Sequence, residues 1–128
     1  MGPMQRVLIV DDHAAFRSAA RQLLQRGGFD VVGEAADGDG ALAAVQRLRP
    51  DIVLLDVQLP GDDGFRTCER ILDLDAGGDA SFVPRVVLTS GRSISTFRRQ
   101  LVDSRAAGFI GKTDLTASGL SALVGGAS

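Results

Sequence analysis

Tryptophan and tyrosine are absent from these 128 residues, and cysteine and histidine occur once each. A lone Cys68 cannot close an internal disulfide and has no neighbour at zinc-ligand spacing, so it is read as a small buried or half-buried apolar residue. No apolar run approaches the ~20 residues that a membrane helix needs. Nor does any stretch combine a basic start, an apolar middle and a small-residue cleavage site, and the chain is read as cytoplasmic. Excess charge of either sign is also lacking: 14 Lys and Arg face 16 Asp and Glu, a formal net charge of −2. That balance gives no electrostatic argument for nucleic acid or for an anionic membrane. The length leaves no room for a second domain, but a single core can bury roughly two-thirds of the unfolded surface. No repeat or low-complexity tract interrupts the chain.

What the sequence does have is organised around PDIVLLDVQLPGDDGF, residues 50–65. Ile52 to Leu55 is an unbroken apolar run, the mark of a strand buried on both faces at the centre of a parallel sheet. It stops at Asp56, which puts a carboxylate at the sheet rim, where open α/β sheets hold ligands. The same strand-to-acid pattern occurs earlier, where Val7 to Val10 end on Asp11 and Asp12 and Phe16, Ala20, Leu23 and Leu24 follow at helical spacing up to Gly27-Gly28. Asp30 to Glu34 reads as a brief strand. Ala41, Leu42, Val45 and Leu48 mark a helix that Pro50 closes. Phe65, Cys68, Ile71 and Leu72 fit a third helix, with Asp63 a natural N-cap. Residues 75–81 read as a Gly-rich loop. Val83, Val86, Val87 and Leu88 then lead to Thr89-Ser90-Gly91 as a fourth strand. Ile94 to Arg105 is expected as a weak, mobile helix with Phe97, Leu101 and Val102 as its apolar face. Gly108 to Gly111 is a last strand ending on Lys112, and Leu115, Leu120, Leu123 and Val124 suggest a final helix interrupted by Gly119.

Five strands alternating with five helices mean βαβ units and one doubly wound, five-stranded parallel sheet of the α/β class. In the order 2-1-3-4-5, strand order reverses between the first and third strands, beside Asp11, Asp12 and Asp56. Thr89 and Lys112 end the remaining two strands on the same edge. Three close carboxylates repel, at about 4 kcal/mol for a pair ~4 Å apart at an effective dielectric of ~20. A hard divalent ion offsets this, and so few carboxylates, with room for water and a phosphoryl oxygen, suit Mg²⁺. A metal, an ammonium and a hydroxyl around one carboxylate match the oxygens of a phosphoryl group during in-line transfer to aspartate. The small Ser90 leaves room for that group.

VLIVDDHAAFR, DIVLLDVQLPGDDGF, VVLTSGR and GFIGKTDL resemble, in order and spacing, the receiver domains of bacterial two-component response regulators. The resemblance covers Arg6 to about Val124 and implies the flavodoxin-like receiver fold. It divides the chain into a disordered lead-in or expression remnant at 1–5, a receiver at 6–124 and a linker-like tail at 125–128. It further implies that Asp56 accepts phosphate from a sensor histidine kinase. Asp11, Asp12, Asp56 and the backbone carbonyl of Gln58 would hold Mg²⁺, Thr89 and Lys112 would bind the phosphoryl group, and Phe109 would stand at the switch aromatic. The face formed by the fourth helix, fifth strand and fifth helix would then act on an output domain or pair as a homodimer. The DDHAAFR start is most similar to receivers that precede a LuxR-type helix-turn-helix domain; no such domain lies in this chain, so direct nucleic-acid or membrane binding is not expected. Thr113 stands where family members commonly place proline.

Single residues also have plain readings. Asp11, Asp12, Asp62 and Asp63 are all able to cap helices, and capping is favoured for Asp62 and Asp63. His13 reads as a surface residue at a helix start, and Arg98, Arg99 and Arg105 as a solvated face. A Mg²⁺-dependent phosphatase with an aspartate nucleophile is the alternative function, but Gln58 stands where its second acid belongs. A flavin module is disfavoured by the missing Trp and Tyr and by acids in the crevice.

Overall fold

The computed structural model describes residues 4–74 and 83–125. The loop expected at 75–81 lies outside them, as does most of the lead-in and tail. Strands β1 (Arg6–Val10), β2 (Asp30–Ala35), β3 (Ile52–Asp56), β4 (Arg85–Ser90) and β5 (Gly108–Gly111) form one sheet in the order β2-β1-β3-β4-β5. All four pairings are parallel. Gln5, assigned to the lead-in, already joins the fold by accepting the Asp30 N–H at 2.9 Å.

Alternation along the strands builds two cores. Val7 and Ile9 of β1 and Ile52 and Leu54 of β3 face the layer made by α1 (Ala14–Arg26) and α5 (Ala117–Leu123), with Leu24 and Leu120 fully buried between them. Leu8, Val10, Val53 and Leu55 face α2 (Gly38–Leu48), α3 (Gly64–Asp73) and α4 (Arg98–Asp103). Every residue of β3 is buried, as a central strand covered on both faces must be. Three helices start on a side chain that accepts an otherwise orphaned backbone N–H: Asp37 from Gly40, Asp63 from Arg66 and Thr116 from Gly119.

Several local expectations are corrected. The fourth helix is not continuous over 94–105: Ile94–Phe97 is a 3₁₀ turn and α4 has six residues, ending where Ser104 turns extended. Ser93, Ser95 and Thr96 favour local side-chain bonding over helix, and Ser93 Oγ accepts the Ser95 N–H. Val102, expected on the apolar face, is 79% exposed. Val83 precedes β4 and is exposed. Gly119 does not interrupt the last helix, because it sits in its first turn and donates to the Thr116 cap; Leu115 is buried ahead of that helix. After Lys112 the chain makes a 3₁₀ turn through Thr113 to Asp114, and no peptide bond among the described residues is cis. Neither acid of the first turn is an N-cap residue; His13 holds that position, and its side chain caps nothing.

Candidate functional site

Parallel register brings the sequence-distant acids together. Val10 pairs with Leu55, so Asp11 and Asp56 leave neighbouring strands side by side. Asp56 pairs with Thr89, and Ser90 with Gly111, the residue before Lys112. Asp11 is 0% and Asp56 2% exposed, so both carboxylates have lost most of their water. Lys112 answers them: its ammonium lies 2.6 Å from Asp11 Oδ2 and 3.3 Å from Asp56 Oδ2. The same ammonium stands 4.6 Å above the ring centroid of Phe16, a contact that the sequence reading missed. Asp12 is more exposed, and its Oδ1 reaches the His13 ring at 3.1 Å. Ligand atoms of Asp11, Asp12, His13 and Asp56 all lie within 4.8 Å of one another.

Burial pushes the Asp56 carboxyl above its usual range; the Gln58 N–H, donating to Oδ1 at 3.1 Å, pulls it down, the Asp11 charge pushes it up again and Lys112 pulls it down, with a net rise. For Lys112, burial disfavours the ammonium, but the Asp11 hydrogen bond and the Asp56 and Asp11 charges outweigh it, and its pKa is raised. The site thus holds more negative charge than one lysine compensates. Two carboxylate oxygens held within 4.8 Å of each other repel by at least about 3 kcal/mol at an effective dielectric of ~20. Carboxylate oxygens of this number and closeness are a hard-cation donor set, which fits Mg²⁺.

Thr89 differs from the other predicted residues. Its side chain is completely buried, and its hydroxyl has no hydrogen-bond partner among the described residues. A buried hydroxyl left unpaired costs about 1–3 kcal/mol, so its place beside Asp56 suits a group that arrives there. Gln58 meets the site through its backbone N–H. Phe109 lies further out, half-buried, 6.2 Å from the Phe97 ring, which is itself 6.0 Å from Phe65. These three rings link β5, the turn before α4, and α3. Asp62 and Asp63 stay out of the acid cluster: Asp63 caps α3 and Asp62 pairs with Arg70 at 2.8 Å. Arg105 is not simply solvated, since it bridges Glu69 and Asp73 of α3, whereas Arg98 and Arg99 are exposed. Cys68 is fully buried, and burial pushes its thiol up to about 11.

Gly64 has a role that the sequence reading did not assign. A Cβ there would lie 2.2 Å from the Asp56 carbonyl oxygen and 2.6 Å from Val57 Cα. The start of α3 therefore packs directly on the peptide that carries Asp56. A cavity of about 690 Å³ between Asp37–Asp39 and Pro60–Asp62 lies elsewhere, and Arg70 pairs with both Asp39 and Asp62 at its wall.

Comparison with known proteins returns the family described as response regulator receiver domain, matched over residues 7–122. The virulence factors putative positive transcription regulator BvgA of Bordetella pertussis is 36% identical over 107 residues, 84% of this chain and 48% of that protein. The signal receiver domain of the putative response regulator NarL from Mycobacterium tuberculosis superposes with a TM-score of 0.80 at 31% identity, covering 97% of this chain and 99% of that one. The CheX-CheY-BeF3-Mg+2 complex from Borrelia burgdorferi contains a chain similar at TM-score 0.74 and 28% identity, covering 95% and 87%. The chain spans about half the length of the first curated relatives it matches.

Proposed function

Because this chain belongs to the response regulator receiver family, we propose that it is a phospho-accepting signalling switch whose Asp56 takes a phosphoryl group from a sensor histidine kinase. The observation that carries the reading is the Thr89 hydroxyl, buried without a hydrogen-bond partner among the described residues and in register with Asp56. A carboxylate oxygen of Asp56 attacks phosphorus in line, the P–N bond to the kinase imidazole breaks, and the imidazole leaves with that electron pair. Asp11, Asp12 and Asp56, with the Gln58 carbonyl, would hold Mg²⁺, which supplies positive charge to the phosphoryl oxygens. Lys112 neutralises another oxygen, and Thr89 donates to the third. Residues 6–124 form the receiver unit. Its signal is read on the face of α4, β5 and α5 by an output domain or a second receiver.

Two results test this reading. Millimolar Mg²⁺ is expected to raise the melting temperature by mass action, and Asp12→Asn to abolish the shift; an equal shift in the variant would place the ion elsewhere. Acetyl phosphate with Mg²⁺ should add one phosphoryl group, and chelation should prevent it.

The switch follows from packing. When Thr89 turns toward the phosphoryl group, Phe109 fills the space it leaves, and Phe97 shifts with it, moving the short α4. Beryllium fluoride should therefore change backbone NMR shifts over residues 90–109 far more than in α1 and α2. Thr89→Ala should still accept phosphate, more slowly, and lose most of that response. Shift changes confined to the neighbours of Asp56 would contradict this route.

A further inference from the structure

His13 takes no part in the reading above, although its ring lies in the acid cluster. The ring is 66% exposed, as a surface histidine should be, yet the residue is fixed on both sides of its backbone. Its N–H donates to Asp11 Oδ1 at 2.8 Å, and its carbonyl accepts the Arg17 N–H at 3.1 Å. Nδ1 then stands 3.0 Å from Asp11 Oδ1 and 3.1 Å from Asp12 Oδ1. Neighbouring ligand atoms around an octahedral ion with bonds of ~2.1 Å are roughly 3 Å apart. Nδ1 therefore already stands at the spacing of a neighbouring ligand atom from one oxygen of each of these two acids, and ligand atoms of Asp11, Asp12, His13 and Asp56 lie within 4.8 Å of one another. The fully buried Thr89 hydroxyl, in register with Asp56 and without a hydrogen-bond partner among the described residues, is a second polar group at this strand end left free for a ligand.

A hard ion such as Mg²⁺ gains little from an imidazole, whereas borderline divalent ions favour it over carboxylate or water. We propose that His13 is a nitrogen ligand that gives this site a second metal specificity, for a borderline divalent ion such as Zn²⁺ or Co²⁺ held by His13 Nδ1 and the carboxylates of Asp11, Asp12 and Asp56. The ligating tautomer carries its proton on Nε2 and offers the Nδ1 lone pair to the ion. The ion occupies the carboxylates that Mg²⁺ needs, so the two compete. The inference rests on the metal site of the proposed function and adds to it a ligand and a selectivity.

The test uses the whole chain at one mildly alkaline pH, with Co²⁺ followed by its visible absorption and Zn²⁺ and Mg²⁺ by calorimetry. His13 is the only histidine and Cys68 the only cysteine. Because Cys68 is buried, a signal that depends on His13 comes from this site. His13→Gln is expected to weaken Co²⁺ and Zn²⁺ by about tenfold or more, and to leave Mg²⁺ within about twofold because Mg²⁺ does not use the ring. Asp12→Asn should weaken all three ions. Unchanged Co²⁺ binding in His13→Gln, equal weakening of Co²⁺ and Mg²⁺, or Zn²⁺ binding that survives Asp12→Asn would each overturn the proposal. If wild type failed to bind Mg²⁺ while Co²⁺ still depended on His13, the Mg²⁺ role proposed above would fall and this inference would stand.

Discussion

Asp56→Asn is expected to melt several degrees above wild type at neutral pH while taking up no phosphate. Both effects come from one carboxylate. Asp56 is 2% exposed and faces the fully buried Asp11, and its pKa in the fold is raised, mainly by burial. The sign follows from proton counting: a folded pKa above the unfolded one means that the folded state binds more protons between the two values. The contribution of Asp56 to stability is therefore full below the ordinary carboxyl range. It is lost as pH rises through that range to the raised folded value, and it stays lost at neutral pH. Asparagine keeps the shape and can still accept the Gln58 N–H, but it carries no charge, and Lys112 retains its contact with Asp11. Melting curves of both proteins from pH ~4 to ~7.5 should diverge as pH rises. Equal melting at neutral pH would show that the buried charge is not a burden on the fold.

Gly64→Ala should damage both fold and site. The added carbon would meet the backbone of Asp56 and Val57, not the movable end of a side chain, and the Gly64 N–H already donates to the Val57 carbonyl at 2.6 Å. Relief requires moving α3 or the peptide after β3. We expect a loss of about 3 kcal/mol, on the order of 10 °C in melting temperature. Phosphate uptake should also slow in the fraction that remains folded, because the peptide that moves carries Asp56. Gly91→Ala is the control, since a Cβ there meets nothing within 4 Å among the described residues. It should stay within about 0.5 kcal/mol of wild type. Similar melting of the two variants would contradict the packing argument.

The three inner strands were legible in the sequence because they are buried on both faces. Val7 to Val10, Ile52 to Leu55 and Val86 to Leu88 have no solvent side to blur the apolar run, so a parallel sheet with Asp11, Asp12, Asp56, Thr89 and Lys112 on one edge followed from the pattern, whereas the order 2-1-3-4-5 came with the doubly wound fold and not from the runs themselves. The fourth helix was less legible. Its periodic positions Phe97, Leu101 and Val102 imply a longer element, but Ser and Thr side chains compete for its first backbone groups, and Val102 turns to solvent. Gly119 read as a break because propensity alone does not reveal that Thr116 caps it. The Phe97–Phe109 contact and the position of Phe16 beneath Lys112 depend on side-chain directions across elements, which spacing in one dimension does not carry. His13 was legible as a residue type beside two acids; its 3.0 Å approach to Asp11 was not.

The most direct test of the account is to locate the phosphoryl group. Wild-type protein is treated with acetyl phosphate and Mg²⁺, reduced with borohydride to convert any aspartyl phosphate to homoserine, digested, and mapped by tandem mass spectrometry. Conversion at Asp56 alone, lost when Mg²⁺ is chelated, is the predicted result. Conversion at Asp11, Asp12 or another aspartate with Asp56 untouched would contradict it.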